Sequence, residues 1–253
     1  MQFASLGSGS RGNATLVSSV ETMLLIDCGF GMREAIRRMQ TLGVEPSRLA
    51  GILVTHEHID HVRGVFSLAR RYHLTVYLTV GCWLALQPDP AIETVLITPE
   101  ETWAIGDIDI TPVTVPHDAR EPVQYLLETG AQRLGLLTDL GMVTPHVLKR
   151  YRQCDALFIE CNHDVRMLAN GAYPPRLKRR VSGRLGHLSN RQAAEFLQAL
   201  GMDRMQRLVA SHLSEKNNLP ELAHDALMPL MDGDESRLVI AHQARPVAWQ
   251  TLG

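Results

Sequence analysis

The chain has 253 residues, 45% of them apolar, enough to fill the core of one large αβ domain or of two small ones. Its formal charge of −2 excludes capture of a polyanion by the field of the whole molecule, so any nucleic-acid contact must come from a local patch or from bound metal. No apolar run approaches a membrane span, no basic-plus-apolar leader precedes the first strand, and the four cysteines lack Cys-x-x-Cys spacing. These features point to buried free thiols and a cytoplasmic protein.

Met1–Leu6 and Thr15–Ser19 read as strands joined by Gly7-Ser8-Gly9-Ser10-Arg11-Gly12-Asn13. That loop either makes a plain turn or receives an anion on its backbone N–H groups, with Ser8, Ser10 and Asn13 as the polar candidates. It lacks the lysine of a P-loop. Thr22–Asp27 is a third strand, and Asp27 at its end is placed to orient a ligand histidine. A helix fits Met32–Leu42, closed by Gly43. The apolar run Ala50–Val54 is a buried strand, and it delivers Thr55-His56-Glu57-His58-Ile59-Asp60-His61 to the end of a sheet.

Three imidazoles and a carboxylate in so short a run suit zinc, iron or manganese. In an extended segment His56 and His58 point to one side and Asp60 continues the alternation, whereas His61 needs a turn into a helix through Val62–Tyr72. The simplest geometry is two ions side by side, with His56 and His58 on one and Asp60 and His61 on the other. A solvated histidine-rich loop is the alternative, and the preceding strand and interposed carboxylate argue against it.

The pattern His56-x-His58-x-Asp60-His61 after a strand resembles the signature of the metallo-β-lactamase-fold hydrolases. The resemblance implies an α/β fold, the αβ/βα four-layer sandwich with two mixed sheets; with no sequence repeat or low-complexity linker evident, residues 1–253 read as a single domain. Strands are expected at Thr75–Leu78, Val95–Ile97, Thr102–Ile105, Ile108–Thr111 and Val113–Val115, with a helical turn at Trp83–Leu86. His117 then ends a β-run. Taken alone it is a packing histidine; the resemblance implies that it completes the first metal's set. Asp118 is either its orienter or a loop carboxylate. Val123–Glu128 and Arg133–Leu137 form a hairpin around Gly130 that ends in Asp139, and a carboxylate can bridge two cations. The resemblance assigns Asp139 that role. The helix at Thr144–Tyr151 is better capped by Thr144, with Pro145 at its first position.

Ala156–Ile159 runs into Glu160, which can hold a catalytic histidine protonated. His163 is ambiguous between surface and site. The run Arg176–Arg184 carries five cations and no acid, a solvated face or a phosphate-facing one; Arg179, Arg180 and Arg184 are its candidates for substrate. Gly186-His187-Leu188-Ser189-Asn190 opens a helix to about Leu200, capped by Ser189 or Asn190. Leu208–Ala210 is a strand ending in Ser211-His212. His187 and His212 compete as the last ligand of the second metal. The repeated Gly-His-Leu-Ser and Ser-His-Leu-Ser resemble the tRNA 3′-end-processing ribonuclease branch, which implies His212 as ligand and His187 as proton donor. Pro220–Met231 is a helix and Arg237–Ala241 a strand, and Val247–Thr251 is expected to close the second sheet. His73, His146, His224 and His242 read as surface or packing residues.

The expected set is therefore His56, His58 and His117 on one ion, Asp60, His61 and His212 on the other, with Asp139 shared. Asp60, His187 and Glu160 carry catalysis. The cofactors are two divalent ions, Zn2+ or Mn2+ with iron also fitting, holding a hydroxide between them. Across nearly the whole chain the resemblance extends to a bacterial subgroup of 5′→3′ DNA exonucleases. It rests on Gly-Ser-Gly-Ser-Arg-Gly-Asn, Gly186–Asn190 and Ser211–Asn218. This implies a nucleic-acid substrate, DNA rather than RNA, with no membrane partner and with a homodimer compatible. A small cyclic or nucleotide phosphodiester is the alternative substrate, and a non-catalytic regulator on the same fold the alternative class.

Overall fold

A computed structural model describes residues 1–253. In chain order the strands and helices are β1 (Gln2–Gly7), β2 (Ala14–Ser18), β3 (Met23–Ile26), α1 (Met32–Thr41), β4 (Gly51–Leu53), α2 (Ile59–Val62), α3 (Val65–Tyr72), β5 (Val76–Thr79), α4 (Val80–Leu86) and β6 (Thr94–Ile97). There follow β7 (Trp103–Ile105), β8 (Ile108–Thr114), β9 (Val123–Thr129), β10 (Gln132–Leu137), α5 (Pro145–Arg150), β11 (Ala156–Glu160), α6 (Val165–Asn170) and α7 (Pro175–Val181). The last are α8 (Asn190–Leu200), β12 (Arg207–Ser211), α9 (Pro220–Leu227), β13 (Leu238–Ile240) and β14 (Val247–Thr251). The strands make two seven-stranded mixed sheets, ordered β14-β1-β2-β3-β4-β5-β6 and β13-β12-β11-β10-β9-β8-β7.

The period of two along each strand sorts side chains into layers. Leu24 and Ile26, Leu134 and Leu136, Ala156 and Phe158, and Val209 meet between the sheets. Their neighbours Leu137, Leu157, Ile159, Leu208 and Ala210 face the other way, where α5, α8 and α9 cover the second sheet. Leu25, Ile52, Val76 and Leu78 do the same for the first sheet under α1, α3 and α4. Helices thus cover both outer faces and the sheets face each other, the expected αβ/βα sandwich. Strands buried on both faces read as continuous apolar runs, which is why the composition of β3, β4 and β11 shows little alternation.

The structure corrects two strand assignments and one helix start. Val247–Thr251 does not close the second sheet: it pairs antiparallel with β1 at the edge of the first. There it satisfies an edge that would otherwise be open, with Val247 entering the inter-sheet core and Trp249 packing on the outer layer. The two segments expected at Ile108–Thr111 and Val113–Val115 are one strand running through Pro112. Pro112 lies beyond the last residue paired to β7. The N–H of Thr114, two residues on and on the same side, points to Glu100 Oε1 at 2.9 Å, so the missing N–H costs no ladder bond. The helix after the His56–His58 segment starts three residues early, at Ile59, and breaks at Arg63-Gly64 before α3. A Cβ at Gly64 would collide with the Phe30 carbonyl, and the close approach seats that turn on the Cys28 segment. Thr144 caps α5 as expected, accepting from the N–H of Val147 at 3.2 Å.

All four cysteines are free and buried. Burial pushes the thiols of Cys28 and Cys154 up to about 12 and raises those of Cys82 and Cys161 as well, so none offers a thiolate.

Phe158 is almost fully buried between the sheets, its ring edge-on to Phe3 at 5.5 Å. Phe158→Ala is expected to cost about 3–5 kcal/mol, read as a lower denaturant midpoint at unchanged slope. A loss under about 1 kcal/mol would contradict this packing.

Candidate metal centre

The chemically distinctive residues gather at one rim, beyond the carboxyl ends of strands that are parallel neighbours except for the antiparallel β8. Asp27 follows β3, Thr55–His61 follow β4, His117 follows β8, Asp139 follows β10, Glu160 ends β11 and His212 follows β12. Open α/β sheets place their sites at such ends because several loops converge there. The donor atoms of His56, His58 and His117 lie within 4.8 Å of one another. The same holds for Asp60, His61 and His212, for His56, His61 and Asp139, and for Asp139, Glu160, His187 and His212.

An outward hydrogen bond sets the orientation of most of the rings. His61 Nδ1 donates to Asp27 Oδ2 at 2.7 Å. Thr55 gives its N–H and its hydroxyl to the two oxygens of Asp27, each at 2.8 Å, so its Oγ1 is left to accept from His56 Nδ1 at 2.9 Å. His117 Nδ1 donates to the Gly186 carbonyl at 3.1 Å and His212 Nδ1 to the Thr138 carbonyl at 2.8 Å. In each ring the remaining nitrogen, Nε2, is the one that turns inward. His56 Nε2 and His117 Nε2 come within 3.0 and 3.3 Å of His58 Nδ1, and His61 Nε2 and His212 Nε2 both lie 3.6 Å from Asp60 Oδ2.

The electrostatics separate the two halves. Burial, reinforced by neighbouring imidazoles, drives His56 well below the ordinary histidine value, and burial lowers His117 too, so both rings are neutral donors. Burial also works against charge on His61 and His212. Asp139 overrides it in both, with Asp27 adding to His61, and holds them well above the ordinary value. Asp139 in turn is kept ionised by His212 and His61 against its own burial. The carboxylates of that half favour protonated rings, the role that a cation would otherwise take.

One observation tests whether a cation fits. Asp139 Oδ2 is buried and accepts no hydrogen bond; His61 Nε2 is 3.1 Å away but not aligned to donate. A buried carboxylate oxygen without a donor is costly, and a divalent ion among neutral imidazoles and carboxylates satisfies it. The residues present fit such ions.

Backbone strain accompanies the site. Asp27 and His212 adopt left-handed φ of 57° and 54°, a conformation that aspartate and histidine tolerate better than bulky residues do. A Cβ at Gly29 would collide with the Asp60 carbonyl, and that approach docks the Asp27 segment on the metal loop.

His187 adjoins His117 and His212, with ring centroids 5.2 Å from each, but its hydrogen bond differs. Its Nδ1 donates to Glu160 Oε1 at 2.7 Å, while Glu160 Oε2 accepts the N–H groups of Leu140 and Leu188 at 2.9 and 3.0 Å. Burial pulls His187 down, but Glu160 outweighs it and holds the imidazolium above the ordinary value. A cavity of about 300 Å³ opens over the cluster, lined in part by His58, Asp60, Asp139, His187 and His212.

The remaining sequence candidates divide. Ser10 and Arg180 line that cavity. Ser8 and Asn13 are buried in internal hydrogen bonds: Ser8 Oγ receives the His212 N–H at 2.8 Å, and Asn13 Nδ2 lies 3.1 Å from His61 Nε2. Arg180 pairs with Asp118 at 2.6 Å. Arg179 is exposed, as is Arg184, whose Nε meets Met142 Sδ at 3.2 Å. The basic run is helical from Pro175, and the proline at that first position was its sequence signal. His163 is buried, at 2% exposure, and burial lowers it to about 4, so it is a neutral interior ring and not a surface one. Thr55 and Tyr173 are site residues that sequence reasoning missed. Thr55 had one available cue, its place between strand and motif; Tyr173 had none.

A profile described as Beta-lactamase superfamily domain matches residues 22–213, and the chain belongs to that superfamily. Two relatives cover most of its length. Exodeoxyribonuclease WalJ of Streptococcus pneumoniae serotype 2 (strain D39) is 36% identical over 230 residues, 88% of this chain and 85% of the relative. Exodeoxyribonuclease YycJ of Bacillus anthracis is 34% identical over 238 residues, 92% and 89% of the two chains. The structure of Zn(2+)-bound PqqB from Methylobacterium extorquens superposes with a TM-score of 0.75 over 100% of both chains, at 18% identity, a likeness of fold alone. No helix is long and apolar enough to cross a membrane.

If Asp27 fixes the His61 ring, Asp27→Ala is expected to weaken divalent-metal affinity about 10- to 100-fold in chelator competition. An unchanged affinity would mean that the ring is held by other contacts.

Proposed function

We propose that the chain is a dinuclear metal-dependent phosphodiesterase that hydrolyses DNA from a 5′ end, with residues 1–253 acting as one domain. In this reading His56, His58 and His117 hold one ion and Asp60, His61 and His212 the other, with Asp139 between them. His212 is preferred over His187 for the second ion because its Nδ1 is occupied by Thr138 and its Nε2 faces Asp60, whereas His187 is tied to Glu160. Zn2+ and Mn2+ both suit this imidazole–carboxylate set, and iron shares its chemistry. Divalent ions so held polarise a phosphoryl oxygen and acidify water toward neutral pH.

The observation that carries the reading is His187, locked by Glu160 at the wall of the cavity above the ligand cluster. Hydrolysis of a phosphodiester forms a bond from water oxygen to phosphorus and breaks the bond to an alkoxide, which must gain a proton. Nε2 of His187 makes no hydrogen bond within the protein and is free to donate that proton. Glu160 keeps the ring charged until it does. Arg180 lines the same cavity, on a helix that also carries Arg176, Lys178 and Arg179, and favours an anionic strand. Both long relatives are named exodeoxyribonucleases, which favours DNA over other phosphodiesters.

Metal-loaded protein is expected to shorten an end-labelled 5′-phosphorylated oligonucleotide from its 5′ end. Cleavage of bis-p-nitrophenyl phosphate alone would favour a small-molecule phosphodiesterase, and inactivity toward both with metal bound a non-catalytic protein. Asp139→Ala should lose most bound metal. His187→Ala should keep metal and lose turnover by about 10²–10⁴-fold; equal metal loss in both would mean that the roles of His187 and His212 are exchanged. Because Glu160 raises the His187 pKa and the acid form is the active one, activity falls as pH rises through that pKa. Glu160→Gln should move this alkaline limb to lower pH, and an unmoved limb would remove His187 as the acid.

A further inference from the structure

The cavity above the cluster has a mixed lining. Ile59, Tyr173, Leu177 and Val181 line it together with the His58, Asp60, Asp139, His187 and His212 side chains. A phosphate and its metals make no use of apolar surface. Ile59 nonetheless stands 62% exposed beside Asp60, where burial of that side chain by a ligand would be favourable. Leu177 and Val181 are one helical turn apart on α7, so they share a face, and Arg180 on the same helix also lines the cavity. One helix therefore presents apolar contacts and a guanidinium to the same space. Tyr173, between α6 and α7, carries the Lys216 ammonium 5.9 Å from its ring centroid, which adds a second cation beside an aromatic face.

Apolar side chains and one aromatic ring that share a cavity with the histidine–carboxylate cluster and with Arg180, itself paired to Asp118, match the two ends of a single nucleotide. We propose that Ile59, Tyr173, Leu177 and Val181 form a nucleobase slot, in which Tyr173 stacks the unpaired base of the nucleotide adjoining the scissile phosphate. This deepens, and rests on, the phosphodiesterase reading above. A cavity of about 300 Å³ is at the small end of ligand pockets and is of the size of one nucleotide. The proposal therefore expects the terminal base to enter unpaired. Stacking on an aromatic ring accepts every base, so the slot selects for the presence of a base and not for its identity. Tyr173 here is a positioning residue: it fixes where the nucleotide sits and moves no proton.

The test uses the full metal-loaded protein and oligonucleotides that differ only at the 5′ terminus. With 2-aminopurine as the terminal base and a phosphorothioate first linkage, binding should quench the fluorescence by stacking. Tyr173→Phe should retain the quench and Tyr173→Ala should lose it. In turnover, the wild-type kcat/KM should favour a 5′ end bearing a base over an abasic one by about tenfold or more, the size of one base–aromatic stack. Tyr173→Ala should bring the two substrates to parity, and a frayed end should outrun a G·C-clamped blunt end. Equal quenching in Tyr173→Ala, or no discrimination against the abasic end by the wild type, overturns the slot. Absence of cleavage on every substrate would instead sink the phosphodiesterase reading, with the fluorescence comparison still deciding whether Tyr173 stacks a base.

Discussion

The outward hydrogen bonds of His56, His61, His117 and His212 are the constraint from which the centre follows. A histidine ring has two nitrogens, and the partner of one decides what the other can do. Asp27, Thr55, Gly186 and Thr138 each occupy the outer nitrogen of a ring, so four inner nitrogens are fixed without any ion. Two of these partners are main-chain carbonyls, which cannot swing away. The third and fourth are one unit, because Thr55 is itself clamped by both oxygens of Asp27. The site is thus organised by the backbone of the surrounding loops as much as by the ligand side chains.

The sheets make that organisation possible. Parallel pairing of β3 with β4 puts Asp27 beside Thr55, although 28 residues separate them. Parallel pairing of β10, β11 and β12 sets Asp139, Glu160 and His212 along one rim. A carboxylate cluster of this density would repel itself in isolation. Protons on His61 and His212 offset it, and divalent ions would offset it more fully. Left-handed backbone at Asp27 and His212 is the local cost of aiming these groups at one point.

Local features were legible from the residues and non-local ones were not. The His56–His61 run announces itself because its donors lie within one short segment and behind a buried strand. His117, Asp139 and His212 are single residues whose meaning depends on which strand ends become neighbours, a matter of sheet order. Only the family resemblance brought them together. Boundaries fell within a residue or two at Thr144–Pro145 and Ser189, where a cap or proline marked them, whereas the helices opened by Asp164 and Pro175 were not expected. The edge strand Val247–Thr251 went to the wrong sheet because an apolar segment carries no record of its partner. Tyr173 was invisible for the same reason: its role depends on how the loop between α6 and α7 folds over a cavity made by other elements.

Metal stoichiometry at saturation, with the protons released on binding, tests the proposed two-ion centre most directly. The expected result is two equivalents of Zn2+ or Mn2+ per chain, with protons expelled from His61 and His212 as the second half fills, measured by elemental analysis and by calorimetry in buffers of different ionisation enthalpy. Saturation below two equivalents, or uptake without proton release, would contradict it.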